Sequence, residues 1–222
     1  MKILCIADHI DPLVYSAGIK QRFKDVELVL SAGDLPLSYY DFIMSTLNKP
    51  LLFVFGNHNL KGMEHFRGMS DNLGRFSALR REVEAPATGA VYLNGRVRRE
   101  KGLLLAGLDG SRWYNGGENQ YTDLQVYLRL ALLMPRLLLN RLLFGRYLDV
   151  LLTHAPPLGL HDGQDPCHRG FRALLWFMRV FKPRYLVHGH IHLYSGDAVR
   201  VSSYDRTTVV NAYDHALIEV PK

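Results

Sequence analysis

The chain has 222 residues, 48% apolar, 22% charged and 11% aromatic, which excludes disordered, collagen-like and solenoid classes and leaves one globular domain or two very small ones. Lys and Arg outnumber Asp and Glu by 27 to 21, a formal charge of +6, which favours anionic partners such as phosphates, nucleic acid, nucleotides or acidic lipid. Cys5 and Cys167 are the only cysteines, too few for a disulfide framework or a Cys-based zinc site.

In chain order, MKILCIADH passes from a short apolar run directly into Asp8 and His9. With no small-residue cleavage site, it reads as a first strand rather than a signal peptide, and a cytoplasmic location is expected. ELVLSA before Gly33 and PLLFVF before Gly56 read as further buried strands, and Ser38 is expected to cap a helix through Asn48. GLLLAG before Leu108 is another strand.

A helical insertion around 120–146 follows, rich in Leu and Arg, which Pro135 should break into two helices. One reading packs its Leu face on the sheet, with at least two of Leu137, Leu138, Leu142 and Leu143 facing the protein. The other lays it on a membrane surface, as a peripheral contact, or over a site that accepts an acyl chain. Arg129, Pro135, Arg136, Asn140 and Arg141 keep every apolar run short of the roughly 18–20 residues that a transmembrane segment needs.

DVLLT before His154 and RYLV before His188 complete the series of buried runs. Between them, Phe171, Leu174, Leu175 and Met178 share one face of a helix that follows Asp165 and Pro166 and ends before Pro183. After Ser195, DAVRVS, TTVVNAY and HALIEV lack a helical period and suggest a second, antiparallel sheet. Alternating strands and helices predict an α/β fold with a largely parallel sheet, a sheet-on-sheet core and flanking helices, in a single domain over 1–222.

Ligands in open α/β sheets bind beyond the carboxyl ends of strands. Those ends here carry Asp8 and His9; Gly33 and Asp34; Gly56, Asn57 and His58; His154; and His188 to His192. Carboxylate, amide oxygen and imidazole form a mixed nitrogen and oxygen set that suits a divalent transition metal, Mn, Fe, Zn, Ni or Co. Ionisable groups beside apolar runs carry desolvation penalties unless paired, so five such ends together point to a site.

GNH at Gly56 to His58 and GHIH at Gly189 to His192 are specific pieces, joined by GD at Gly33 and Asp34 and by THAPP from Thr153 to Pro157. In this order the chain resembles the calcineurin-like metallophosphoesterases from Asp8 to His192. The resemblance implies a four-layer αββα sandwich of two mixed sheets flanked by helices, with one or two divalent ions. It implies that Asp34 bridges two ions, that Asn57, His154 and His190 complete one site, and that Asp8 and His192 belong to the other. His58 would lie beside the scissile phosphate as a charge-stabilising or acid group. Two cations about 3.5–4 Å apart activate water and neutralise a developing phosphorane.

The chain departs from the pattern at the first motif, Asp, any residue, His. Ile10 stands where the His is expected, and His9 is one residue early, pointing to the other face if the strand continues. Leu37 and Asn59 replace further acidic positions of the family. The first metal site is therefore expected to lack a ligand, leaving one tightly held ion and one weak one.

Two loops should border the pocket. GSRWYNGGENQY would offer Arg112 to a phosphate and Trp113 or Tyr114 to a ring, and HDGQDPCHRG brings His161, Asp162, Asp165 and His168 near His154. The alternative for both is a hydrogen-bonded loop leading into a helix, with Asp165 or its neighbours capping a helix from near His168. His9, Arg112, His161 and His168 are thus read as touching substrate or lying behind the ligands. His188 is expected behind the ligands, and His65 and His215 as structural or exposed. The expected function is hydrolysis of a phosphoester, a diester by preference, by metal-activated water. The alternatives are a non-catalytic metal-binding scaffold or a hydrolase of a lipid-linked pyrophosphate.

Overall fold

Each apolar run ends up as a strand near the bounds its composition sets. The computed structural model describes residues 1–68, 89–195 and 198–221. In chain order the elements are β1 (Lys2–Ala7), α1 (Ile19–Arg22), β2 (Val26–Ser31), α2 (Leu37–Leu47), β3 (Leu51–Phe53), α3 (Met63–Gly68) and β4 (Val91–Tyr92). Then come β5 (Val97–Glu100), β6 (Leu103–Leu108), β7 (Ser111–Arg112), β8 (Gln120–Tyr121), α4 (Asp123–Phe144) and β9 (Val150–Thr153). The last are α5 (Arg172–Phe181), β10 (Tyr185–His188), β11 (Val201–Tyr204), β12 (Thr207–Asn211) and β13 (Asp214–Glu219).

One sheet runs β13-β1-β2-β3-β4 and the other β11-β12-β10-β9-β6-β5, while β7 and β8 pair separately. Alternation of side chains across each strand divides the core into three apolar seams. Ile3, Cys5, Leu28 and Leu30 of the first sheet meet Leu103, Leu105, Val150 and Val187 of the second between the sheets. Leu4, Ile6 and Val29 face the other way, onto Ile19 of α1, Tyr39 and Ile43 of α2 and Phe66 of α3. Leu104, Leu151 and Leu186 take the outer face of the second sheet, under Leu130 and Leu137 of α4 and Leu174 and Phe177 of α5. This is the four-layer αββα sandwich of two mixed sheets.

Four local expectations are corrected. The C-terminal strands do not make a sheet of their own. β11 pairs antiparallel with β12, which joins β10 in parallel, whereas β13 crosses to pair antiparallel with β1. Asp197, within the expected DAVRVS strand, lies outside the described residues. Ser38 does not cap α2, whose N-cap is Pro36 without a side-chain bond, although Asn48 closes the helix in the left-handed conformation. Nor does Asp165 cap the later helix, which starts at Arg172. There the carboxylate of Asp123, from the start of α4, accepts from Ala173 N–H at 3.2 Å.

The fourth correction is larger: α4 is a single helix of 22 residues with Pro135 inside it. An interior proline costs about 3 kcal/mol. Against that stand Val126, Leu130, Leu133 and Leu137, buried in one stripe on both sides of the proline and worth roughly 2 kcal/mol each. A capping box joins Thr122 to Gln125 at the start, and Gly145 closes the end in the left-handed region. Of the four leucines tested by the packed-face reading, only Leu137 is buried; Leu138, Leu142 and Leu143 are exposed.

Candidate metal centre

The strands β1, β2 and β3 are mutually parallel, as are β6, β9 and β10, so their carboxyl ends gather along one rim. Backbone bonds draw the strand ends together: Asp8 N–H donates to Gly33 O at 3.1 Å and Gly189 N–H to His154 O at 3.0 Å. Two bonds then cross between sheets. His154 Nδ1 lies 2.7 Å from Ala32 O, and the backbone N–H of His190 donates to the Asp8 carboxylate at 2.9 Å.

The His154 contact fixes the chemistry of its other nitrogen. A carbonyl only accepts, so Nδ1 carries the hydrogen and a neutral ring leaves a lone pair on Nε2. That lone pair faces Asn57 Oδ1 at 3.1 Å and Asp34 Oδ2 at 3.3 Å, two further electron-pair donors. Only a proton or a cation satisfies all three. Burial would lower the His154 pKa, but the carboxylates of Asp34 and Asp8 raise it to about 9. Burial would raise that of Asp34, yet His154 and the His58 N–H, which donates to Oδ1 at 2.8 Å, bring it down to about 2. Asp8, desolvated and beside the Asp34 charge, is pushed up to about 7. Ligand atoms of Asp8, Asp34 and His154 lie within 4.8 Å of one another, and the set suits a divalent cation.

His190 belongs to the same cluster, its ring centroid 4.9 Å from that of His154. Its Nε2 lies 2.7 Å from Cys167 O, which places the hydrogen there and the lone pair on Nδ1. Burial and the neighbouring His154 lower its pKa to about 3, so the ring is neutral, as a ligand must be.

The backbone carries strain to achieve this. Asp8, Asp34 and His190 have φ of 65°, 60° and 69°, a left-handed conformation that costs a non-glycine residue on the order of 1–3 kcal/mol. Two glycines serve by leaving space. A Cβ on Gly56 would lie 2.0 Å from Asp34 Oδ1, and one on Gly189 would lie 2.6 Å from Asp8 Oδ2.

The calcineurin-like phosphoesterase family matches residues 1–194. The chain belongs to that family. A UPF0046 protein of Caenorhabditis elegans is 24% identical over 220 residues, covering 96% of this chain and 69% of that protein. Among solved structures, TT1561 of Thermus thermophilus has a TM-score of 0.60 at 16% identity, covering 96% of this chain and 89% of that one. Another reaches a TM-score of 0.62 at 14% identity, covering 98% and 94%.

On this phosphoesterase the other sequence-derived candidates are placed as follows. His58 is exposed at the rim, held by its backbone to Asp34. His192 is also exposed; its Nδ1 lies 2.5 Å from Tyr194 OH and its ring packs 4.9 Å from Tyr213. His9 turns from the cluster to Asp214, Nδ1 to Oδ1 at 2.7 Å, and Ile10 is 38% exposed. Arg112 is committed elsewhere, donating to Asp123 Oδ2 at 2.9 Å and Gly170 O at 3.2 Å, where it ties the loop to α4.

His161 lies behind the rim. Its Nδ1 is 2.9 Å from Nε2 of the fully buried His188, whose Nδ1 is 2.9 Å from Gly189 O, and its Nε2 is 2.8 Å from Ser202 Oγ. The serine hydroxyl, the two imidazoles and the carbonyl thus form one directed chain ending on the His190 turn. His168 borders the cluster, its ring 5.3 Å from that of His190, and bonds Asp165 at 3.0 Å. His215 pairs with Asp11, and His65 packs edge-on against Phe66.

Sequence reasoning missed the support under the GNH turn. Asn119 Nδ2 donates to Gly56 O at 2.5 Å, and Asn119 Oδ1 accepts from Arg67 at 2.6 Å. Arg67 also reaches Asp109, which is fully buried and accepts from Tyr92 OH at 2.5 Å. The signal was Asp109 itself, a carboxylate at the end of an apolar strand. Its partners are distant in sequence.

Proposed function

We propose that this chain is a metal-dependent phosphodiesterase with one full metal site and one short of a ligand. The observation that carries the reading is the convergence of His154 Nε2, Asn57 Oδ1 and Asp34 Oδ2 on one point, three electron-pair donors that a divalent cation joins in place of the proton otherwise held on His154. Asp34, Asn57, His154 and His190 would hold the full site. Asp8, Asp34 and His192 would hold the other, with the aliphatic Ile10 where an imidazole is missing. A divalent ion bound there supplies a nucleophilic water at neutral pH and neutralises charge on the phosphoryl oxygens.

The chain's own residues do the rest. Asp34, kept ionised by His154, contributes the negative charge the ion needs. Ala32 O, Cys167 O and the His58 N–H hold His154, His190 and Asp34 in orientation, so little is reorganised on binding. His58, exposed above Asp34, is positioned to hydrogen-bond a phosphoryl oxygen or protonate a leaving alkoxide. His168, exposed beside His190, borders the same space.

The test is release of nitrophenol from bis(p-nitrophenyl) phosphate and from p-nitrophenyl phosphate, with manganese and after chelation. The expected result is metal-dependent release, faster from the diester. No release from either by metal-loaded protein would favour the scaffold reading, and faster release from the monoester would overturn the diester preference.

A further inference from the structure

The helix α4 is apolar on two opposite faces, and the described residues cover only one. Val126, Leu130, Leu133 and Leu137 pack on the second sheet. At 100° per residue, Leu124, Leu128, Leu132, Leu139 and Leu142 fall on the opposite side. Leu124 is 68% exposed and Leu132 and Leu142 are each 81% exposed, with Leu138 and Leu143 widening the stripe. Pro135 lies exposed within it. Scattered surface leucines need no explanation, but a continuous stripe along one helix does.

The charges beside the stripe say what covers it. Arg136 flanks it on one side and Arg141, which donates to Gly145 O and lies 5.8 Å from the centre of the Tyr147 ring, on the other, both exposed, and the exposed Arg99 lies over the Phe144 ring at the helix end, 4.9 Å from its centre. The sole acidic residue of the helix, Asp123, is bonded to Arg112 and to Ala173 N–H. None of Arg99, Arg136 and Arg141 pairs with a carboxylate among the described residues, whereas Arg129 is engaged with Asp109 and Asn94 and does not count.

A second copy is the competing occupant. Antiparallel two-fold pairing through this stripe sets the Arg136 flank against the same flank of the other copy, near the helix middle. Parallel pairing sets the Arg136 flank against the Arg141 flank. Either way guanidinium meets guanidinium with no free carboxylate on either copy of α4 to compensate. An anionic lipid surface matches both features, since acyl chains accept the leucines and headgroups the arginines. No helix among the described residues is long and apolar enough to cross a membrane, and the arginines in α4 make it one that lies flat.

We infer that the outer face of α4 docks this protein on anionic membrane surfaces. The inference does not depend on the phosphodiesterase reading, and its test uses no activity. The full-length chain is sedimented with vesicles of phosphatidylcholine, with and without phosphatidylglycerol, while its mass is followed by light scattering in the absence of lipid. Wild type should sediment with the anionic vesicles, and less so as salt rises. Leu132→Gln with Leu142→Gln should reduce binding at least about tenfold with the melting temperature unmoved, because neither side chain is in the core. Arg136→Gln and Arg141→Gln should each weaken binding to the anionic vesicles about fivefold. Absence of wild-type binding, or binding indifferent to the leucines, would overturn the inference. So would a lipid-free dimer that dissociates in the leucine variant, which would make the occupant a second copy.

Discussion

His154 Nε2 and Asn57 Oδ1 face each other at 3.1 Å, two acceptors brought together by strands from different sheets. Such a pair is stable only around a cation or a proton, so Asn57→Ala should lower affinity for the first divalent ion by more than about tenfold, with partial rescue of turnover by excess metal. His58, exposed and held to Asp34 through its backbone N–H, is proposed to act on the substrate and should behave differently. His58→Ala should reduce turnover by about 10²- to 10⁴-fold with metal content intact. Metal analysis of both purified variants checks the division; equal metal loss would contradict it.

Ile10→His addresses the second ion. Ile10 is 38% exposed, and on the proposed reading it stands where the second ion lacks an imidazole, so the substitution should tighten the weaker of two manganese-binding events in calorimetric titration. Two equally tight events in the wild type would show that the site is not short of a ligand. His9 is already occupied with Asp214 and is not expected to substitute.

Gly56→Ala tests the close approach under the cluster. The added carbon would sit 2.0 Å from Asp34 Oδ1, so either the loop or the carboxylate must shift. Thermal or denaturant unfolding should show a loss of about 1–3 kcal/mol, and manganese affinity should fall with it. Unchanged affinity would mean that Asp34 does not have to stand where the backbone of Gly56 places it.

Leu137→Asp should bury an unpaired charge between α4 and the second sheet and cost about 4 kcal/mol or more, enough to unfold or insolubilise the chain. Leu142→Asp, at the opposite face, should melt within about 0.5 kcal/mol of wild type. Equal destabilisation in the two variants, followed by circular dichroism, would contradict the two-faced helix.

The strand ends were legible because each buried run stops at a residue that cannot stay in an apolar layer. Asp8, Asp34, Asn57, His154 and His190 announce the rim in this way, and the structure places them together. The course of α4 was not legible. Pro135 is a local helix breaker, and its effect is outweighed by a buried stripe whose contacts are all tertiary. The same segment is rich in Leu on every side, so periodicity alone does not tell the covered face from the open one. Likewise β12 and β13 have similar alternation, and nothing local says that one joins β10 and the other crosses to β1. Asn119, under Gly56, is recognisable only through its long-range partners Arg67 and Gly56.

The most direct test of the account is a titration of chelated wild type and Asp34→Asn with manganese, following bound metal and diester hydrolysis in the same samples. Hydrolysis in the wild type should be absent after chelation and return with bound manganese, while Asp34→Asn should lose both tight binding and turnover. Hydrolysis that persists in chelated protein, or an Asp34→Asn variant that binds and turns over like wild type, would contradict a metal centre built on Asp34 and His154.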